Sequence, residues 1–133
     1  SNANLPVLPE SLDLVLCLFG FPVYSEFARV LKPGGQVIQV DAGAYHLREL
    51  REVIYPEVKP PGDSESAAPE GFRQLDSTVV RFPLTLPDQA SIADLLAMTP
   101  HLYRASAEGL ERAAALESLE VTVEATLKRF EKL

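Results

Sequence analysis

The sequence predicts an α/β fold of about four strands, two parallel and then an antiparallel pair, with flanking helices. Three observations carry that expectation. Asp13 to Phe19 is a short, unbroken apolar run, D-L-V-L-C-L-F, of the kind found in strands buried on both faces of a parallel sheet. Lys32-Pro33-Gly34-Gly35 then separates a helical pattern from the β-branched, alternating stretch Gln36 to Val40. Looser alternation recurs in Phe72 to Leu84 and in Leu119 to Phe130.

The elements follow in order. Tyr24 to Leu31 places Phe27, Val30 and Leu31 at helical spacing, and Pro-Gly-Gly stops it because proline cannot continue a helix and glycine takes a sharp exit. A strand, helix and strand so linked call for a right-handed crossover and parallel pairing. In Ala44 to Tyr55, residues His46, Leu47, Leu50, Val53 and Ile54 fall on helical positions, and Pro56 ends the run. Residues 56 to 71, with four prolines and two glycines, read as a loop. Asp88 is the expected cap of a helix over residues 89 to 98, which Thr99-Pro100 breaks, and Ser106 of another over 107 to 116. In the last strand Val121, Val123, Ala125 and Leu127 are expected on the buried face, opposite Thr122, Glu124, Thr126 and Lys128, with residues 128 to 133 frayed. Two parallel strands followed by an antiparallel pair form the second half of a doubly wound sheet.

Composition narrows the function. With 133 residues and 47% hydrophobic residues the chain can bury a core as one domain over residues 4 to 133. Ser1-Asn2-Ala3 is expected to be the remnant of a removed tag. No apolar run reaches the roughly 18 residues that a membrane span needs, so no membrane partner is expected. The lone Cys17 excludes an internal disulfide and a cysteine-built zinc site, and it suits a cytoplasmic location. A net charge of −7 argues against nucleic-acid binding by this chain alone.

Ser11 to Gly35, with its apolar strand and the motif E-x-x-R-V-L-K-P-G-G, resembles the fourth strand, following helix and turn of class I S-adenosylmethionine-dependent methyltransferases. Two further stretches resemble the large-subunit ribosomal RNA (guanine-N1)-methyltransferases in particular: H-L-R-E-L-R-E-V-I-Y-P-E-V from His46 and L-L-A-M-T-P-H-L-Y-R-A-S from Leu95. The resemblance implies the C-terminal half of a doubly wound, Rossmann-like methyltransferase sheet. It implies S-adenosylmethionine as cofactor and ribosomal RNA as partner of the complete parent enzyme. The sequence contains no G-x-G-x-x-G, no acidic residue ending a second strand for the cofactor ribose and no cysteine cluster, so the chain alone is expected to bind no cofactor and to be inactive. The alternatives are half of a small-molecule class I methyltransferase and a non-catalytic interaction module. For the module, the apolar strand 13 to 19 becomes an exposed edge through which two copies pair as a homodimer.

The resemblance also places candidate residues. Phe19, Gly20 and Phe21, at the carboxyl end of the first strand, would flank the cofactor, or else form a hydrophobic turn. Gly43, Tyr45 and His46 would lie beside the active site, or else make a turn and a satisfied helix start. Thr99, Pro100, Tyr103 and Arg104 would meet the substrate, with Tyr103 stacking on an extruded base and Arg104 meeting phosphate or a base edge. The other reading is a helix corner with Tyr103 packed. No catalytic base is assignable. Asp13 reads as a strand start, Cys17 as buried and inert, and the carboxylates of residues 108 to 120 as a solvated helix face.

Overall fold

A computed structural model describes residues 1–58 and 67–133. The element order is β1 (Leu12–Leu18), α1 (Tyr24–Val30), β2 (Leu31–Ala42), α2 (Arg48–Ile54), β3 (Phe72–Leu86), α3 (Gln89–Ala97), α4 (His101–Arg104), α5 (Ala107–Ala114) and β4 (Leu119–Lys132). Half of the expected 56–71 loop, residues 59–66, lies outside the described residues. The strands form one sheet in the order β1-β2-β4-β3. β1 and β2 are parallel and β2 and β4 antiparallel. Three ion pairs join β3 to β4, Arg73 to Glu131, Asp76 to Arg129 and Arg81 to Glu124. Their numbers run in opposite directions along the two strands, which makes that pair antiparallel as well. The expected sheet is the observed one.

The chain folds as two compact units. The first holds residues 1–43, 63–80 and 125–133. Its core joins Cys17, Phe27, Leu31, Val37, Phe72 and Phe130. Tyr24 stands edge-on to three of the aromatic rings at 5.9 to 6.1 Å, a favoured aromatic geometry. The guanidinium of Arg29 donates to the carbonyls of Val7 and Leu5 and to Glu26, which itself accepts from the Leu5 amide. These bonds strap the N-terminal segment to α1.

Three expectations change in this unit. Strand β2 begins at Leu31, ahead of the Pro-Gly-Gly turn, because Leu31 pairs with Leu12 and the ladder resumes at Leu14 and Gln36 past a bulge. The bulge needs both glycines. Gly34 sits at φ +80, and a Cβ on Gly35 would come within 2.8 Å of the Lys32 carbonyl oxygen. β1 is not buried on both faces: Val15 and Cys17 turn inward, whereas Leu14, Leu16 and Leu18 are 47 to 58% exposed. The chain end is not frayed. β4 continues to Lys132, whose ammonium donates to the Leu31 carbonyl at 2.7 Å, and the Leu133 amide donates to Gly71.

The second unit holds residues 44–62 and 81–124. Leu47, Leu50, Ile54, Leu86, Ile92, Leu96, Ala113 and Val121 make its core. Leu50, Ile54 and Ile92 are essentially fully buried, each worth about 1.5–3 kcal/mol of transfer free energy. The two expected caps form. Asp88 accepts from the Ser91 amide at 2.8 Å, and Ser106 from the Gly109 amide at 3.1 Å. Helix α2 starts at Arg48 rather than Ala44, because Leu47 adopts a left-handed φ of 52 and its amide bonds the Thr122 carbonyl. A third short helix, α4, follows the Thr99-Pro100 break. Gly109 of α5 lies against the end of α2 so tightly that a Cβ would sit 2.0 Å from the Ile54 carbonyl oxygen.

Candidate functional site

In the first unit the candidate surface lies where β1 and β2 end. The Phe19 amide bonds the Val40 carbonyl, continuing the ladder by one residue, and its backbone then turns into the left-handed region at φ 53. That conformation is strained for an aromatic residue. It leaves Phe19 66% and Phe21 90% exposed, with Gly20 between them. Two large rings therefore stand in solvent at the strand end where open α/β sheets bind ligands. Gly43 follows the last residue of β2.

Behind β2 a cavity of about 290 Å³ is lined by Tyr24, Gln39, Asp41, Ala67, Pro69, Lys128 and Phe130. The buried Gln39 accepts from the Tyr24 hydroxyl and donates to Asp41 at 2.9 Å. Burial, then the nearby Asp41 charge, raises both the Tyr24 and the Cys17 pKa, so both stay protonated near neutrality. Cys17 is buried, as its place in the apolar run suggests.

In the second unit Tyr45 and His46 belong to the turn that precedes α2. The guanidinium carbons of Arg81 and Arg48 lie 5.0 and 5.6 Å from the centre of the Tyr45 ring. Arg81 also donates to the buried Glu124 carboxylate at 2.6 Å. The Glu124 amide donates to His46 Nδ1 at 3.1 Å. His46 is thus a satisfied residue on that side. Burial first, and Arg51 second, lower its pKa against the opposing pull of Glu124, which keeps the ring neutral near neutral pH. Glu124 was expected on the solvated face of the last strand. It is buried where its amide meets His46 of the turn before α2, and Arg81 across the ladder supplies the countercharge. Neither Arg81 nor Glu124 has a sequence signal beyond strand alternation.

The corner between α3 and α4 brings the remaining candidates together. The Thr99 hydroxyl donates to the Leu96 carbonyl at 2.9 Å and caps α3, and Pro100 leads into α4. Tyr103 is 87% exposed, which rules out the packed-corner reading for that ring. Met98 beside it is 82% exposed. Arg104, at the end of α4, helps line a cavity of about 420 Å³ with Arg51, Tyr55, Glu57, Val58 and His101. Glu108, Glu111, Glu117 and Glu120 are exposed, as their spacing suggests. Among the described residues no cluster of His, Cys, Asp or Glu could hold a metal, and no helix is long and apolar enough to cross a membrane.

No family model matches the chain. Over 126 residues it is 32% identical to the Bacillus subtilis (strain 168) protein named "Putative 23S rRNA (guanine-N(1)-)-methyltransferase YxjB". That match covers 92% of this chain and 44% of the relative, so the chain spans less than half of the relative's length. In fold it is similar to the "putative methyltransferase (BH2331)" of Bacillus halodurans C-125, with a TM-score of 0.51 at 16% identity, over 99% of this chain and 69% of that one. A protein from a structure titled for the conversion of a disulfide bond into a thioacetal group during echinomycin biosynthesis gives the same TM-score at 13% identity, over 99% and 54%. At these identities the structural likeness speaks for the fold. The chain therefore shares the α/β fold of these structures and is related in sequence, over nearly all its length, to part of a protein named as a putative methyltransferase.

Proposed function

We propose that this chain is the substrate-side half of an S-adenosylmethionine-dependent methyltransferase that methylates N1 of a guanine in large-subunit ribosomal RNA. One observation carries the reading: the 126-residue match to a relative named for that reaction coincides with a sheet of the methyltransferase fold. The exposure of Tyr103 beside Arg104 favours a nucleic acid over a small molecule, because an exposed ring next to a guanidinium suits an unstacked base and its phosphate.

The residues present fit one side of the cofactor. The exposed Phe19 and Phe21 rings, with Gly20, offer an apolar and π-rich wall, and aromatic faces attract a sulfonium cation. When bound, the cofactor supplies an electrophilic methyl group. The chain's own work is to hold the target base. Tyr103 stacks on the extruded guanine, Arg104 meets its backbone, and Thr99 with Pro100 fixes the corner that presents them. Gly43 follows the end of β2 on the cofactor side of its unit, and Tyr45 and His46 stand in the turn ahead of α2 on the substrate side of theirs.

The test is methyl transfer by the full-length gene product from labelled S-adenosylmethionine to unmodified 23S ribosomal RNA, followed by nucleoside analysis. Label in 1-methylguanosine supports the reading, and its loss in the Tyr103→Ala, Arg104→Ala double variant supports the base-holding role. Label found only in small molecules contradicts the RNA assignment.

A further inference from the structure

The 420 Å³ cavity has a feature that the fold does not require. Two guanidiniums, Arg51 from α2 and Arg104 from α4, line it together with His101 and the Tyr55 hydroxyl. Neither arginine forms a salt bridge among the described residues. Arg51 is held in place through Nε to the His46 carbonyl at 3.1 Å and through one Nη to the Ala44 carbonyl at 2.8 Å. Those bonds fix its direction without neutralising it. The Tyr55 hydroxyl lies 2.8 Å from His101 Nδ1, and the two rings meet edge to face at 5.5 Å, which fixes the imidazole too. Among the described residues the wall is therefore preorganised and carries two guanidiniums against one carboxylate, that of Glu57. The His101 pKa agrees with this field: burial lowers it first, and Arg51, Arg104 and His46 lower it further.

We propose that this cavity is a binding pocket for a phosphodiester of single-stranded RNA, next to the base that stacks on Tyr103. Guanidiniums bind phosphate oxygens through paired N–H donors, and fixed donors lose little entropy on binding. Tyr103 and Arg104 are neighbours on α4, so a nucleotide with its phosphate in the cavity has the exposed ring within one residue. The pocket deepens the function proposed above and names Arg51, Tyr55 and His101 as its further members.

The chain has two histidines, His46 and His101, so the imidazole resonances report on the pocket directly. The experiment titrates an unstructured oligoribonucleotide into the 133-residue chain and follows both rings by NMR. The expected result is a saturable shift of His101, with affinity reduced about tenfold in Arg104→Gln, the usual scale for one charge-assisted hydrogen bond. The salt dependence of binding should fall by about one unit of slope in that variant. Arg104 is exposed at a helix end, so the substitution spares the fold. An unmoved His101, or an affinity unchanged by Arg104→Gln, overturns the pocket. Inorganic phosphate binding as tightly as the oligoribonucleotide overturns the RNA assignment. Because no methyl transfer is involved, the pocket can fail while the methyltransferase reading stands, and the reverse also holds.

Discussion

Arg81 on β3 donates to the buried carboxylate of Glu124 on β4 at 2.6 Å, and Glu124 in turn offers its amide to His46. This pair ties the turn carrying Tyr45 and His46 to β3 and β4, since Arg81 also lies over the Tyr45 ring. Removing Arg81 alone strands a buried carboxylate. Arg81→Ala should therefore lower the unfolding free energy by about 1–3 kcal/mol. Arg81→Met combined with Glu124→Leu should recover most of that loss, because it leaves no unpaired charge. Urea denaturation of the three proteins checks the prediction, and a double variant no more stable than Arg81→Ala contradicts it.

Gly109→Ala tests the approach of α5 to α2. The added methyl meets the Ile54 carbonyl oxygen, a backbone atom that cannot rotate away. The cost should be about 1–3 kcal/mol, the usual range for overpacking, and Ala107→Gly in the same helix should cost less. Thermal unfolding of the two variants gives the comparison, and equal losses would contradict the close approach.

The two histidines and Glu49 set a dependence of stability on acid. His46 and His101 have pKa values lowered below the ordinary 6.5 in the folded chain, chiefly by burial. The unfolded chain then binds more protons, so their contribution is complete above pH 6.5 and is lost as pH falls through the folded values. Burial works to raise Glu49, but the hydroxyl and amide of Thr122 outweigh it and hold the carboxyl below 4.5, so its share is lost lower still. Stability should fall in two stages on acidification. His101→Gln should flatten the upper stage, and an unchanged profile in that variant would contradict the account.

The four strands and their parallel and antiparallel pairing were legible in apolar runs and alternation, whereas the place of β4 between β2 and β3 was not. Asp88 and Ser106 were legible as caps because capping is local chemistry. What was not legible depended on partners distant in sequence. Glu124 sits on the polar phase of its strand, and only Arg81, on another strand, makes its burial tolerable. Leu47 has helical spacing, yet the Thr122 carbonyl holds its amide in a left-handed turn. Lys132 stays in β4 because the Leu31 carbonyl is there to receive it. Of the candidate site, the Tyr103 and Arg104 corner was visible as a proline break. The contribution of Arg51 and His101 came only with the contact between Tyr55, just past α2, and His101 of α4.

The outer edge of β1 has no strand beside it among the described residues, and Leu14, Leu16 and Leu18 are bare. Isolated from the rest of a sheet, such an edge pairs with another. We expect the 133-residue chain to self-associate through β1 at micromolar concentration, and Leu16→Lys to shift it toward monomer. Sedimentation that shows the unaltered chain as a monomer would contradict this.

The central claim is guanine-N1 methylation of ribosomal RNA, and the most direct measurement is nucleoside mass spectrometry of 23S RNA from cells with and without the gene. The account predicts that deletion removes one 1-methylguanosine and that the intact gene restores it, whereas a Tyr103→Ala, Arg104→Ala copy does not. An unchanged 1-methylguanosine content after deletion would contradict it.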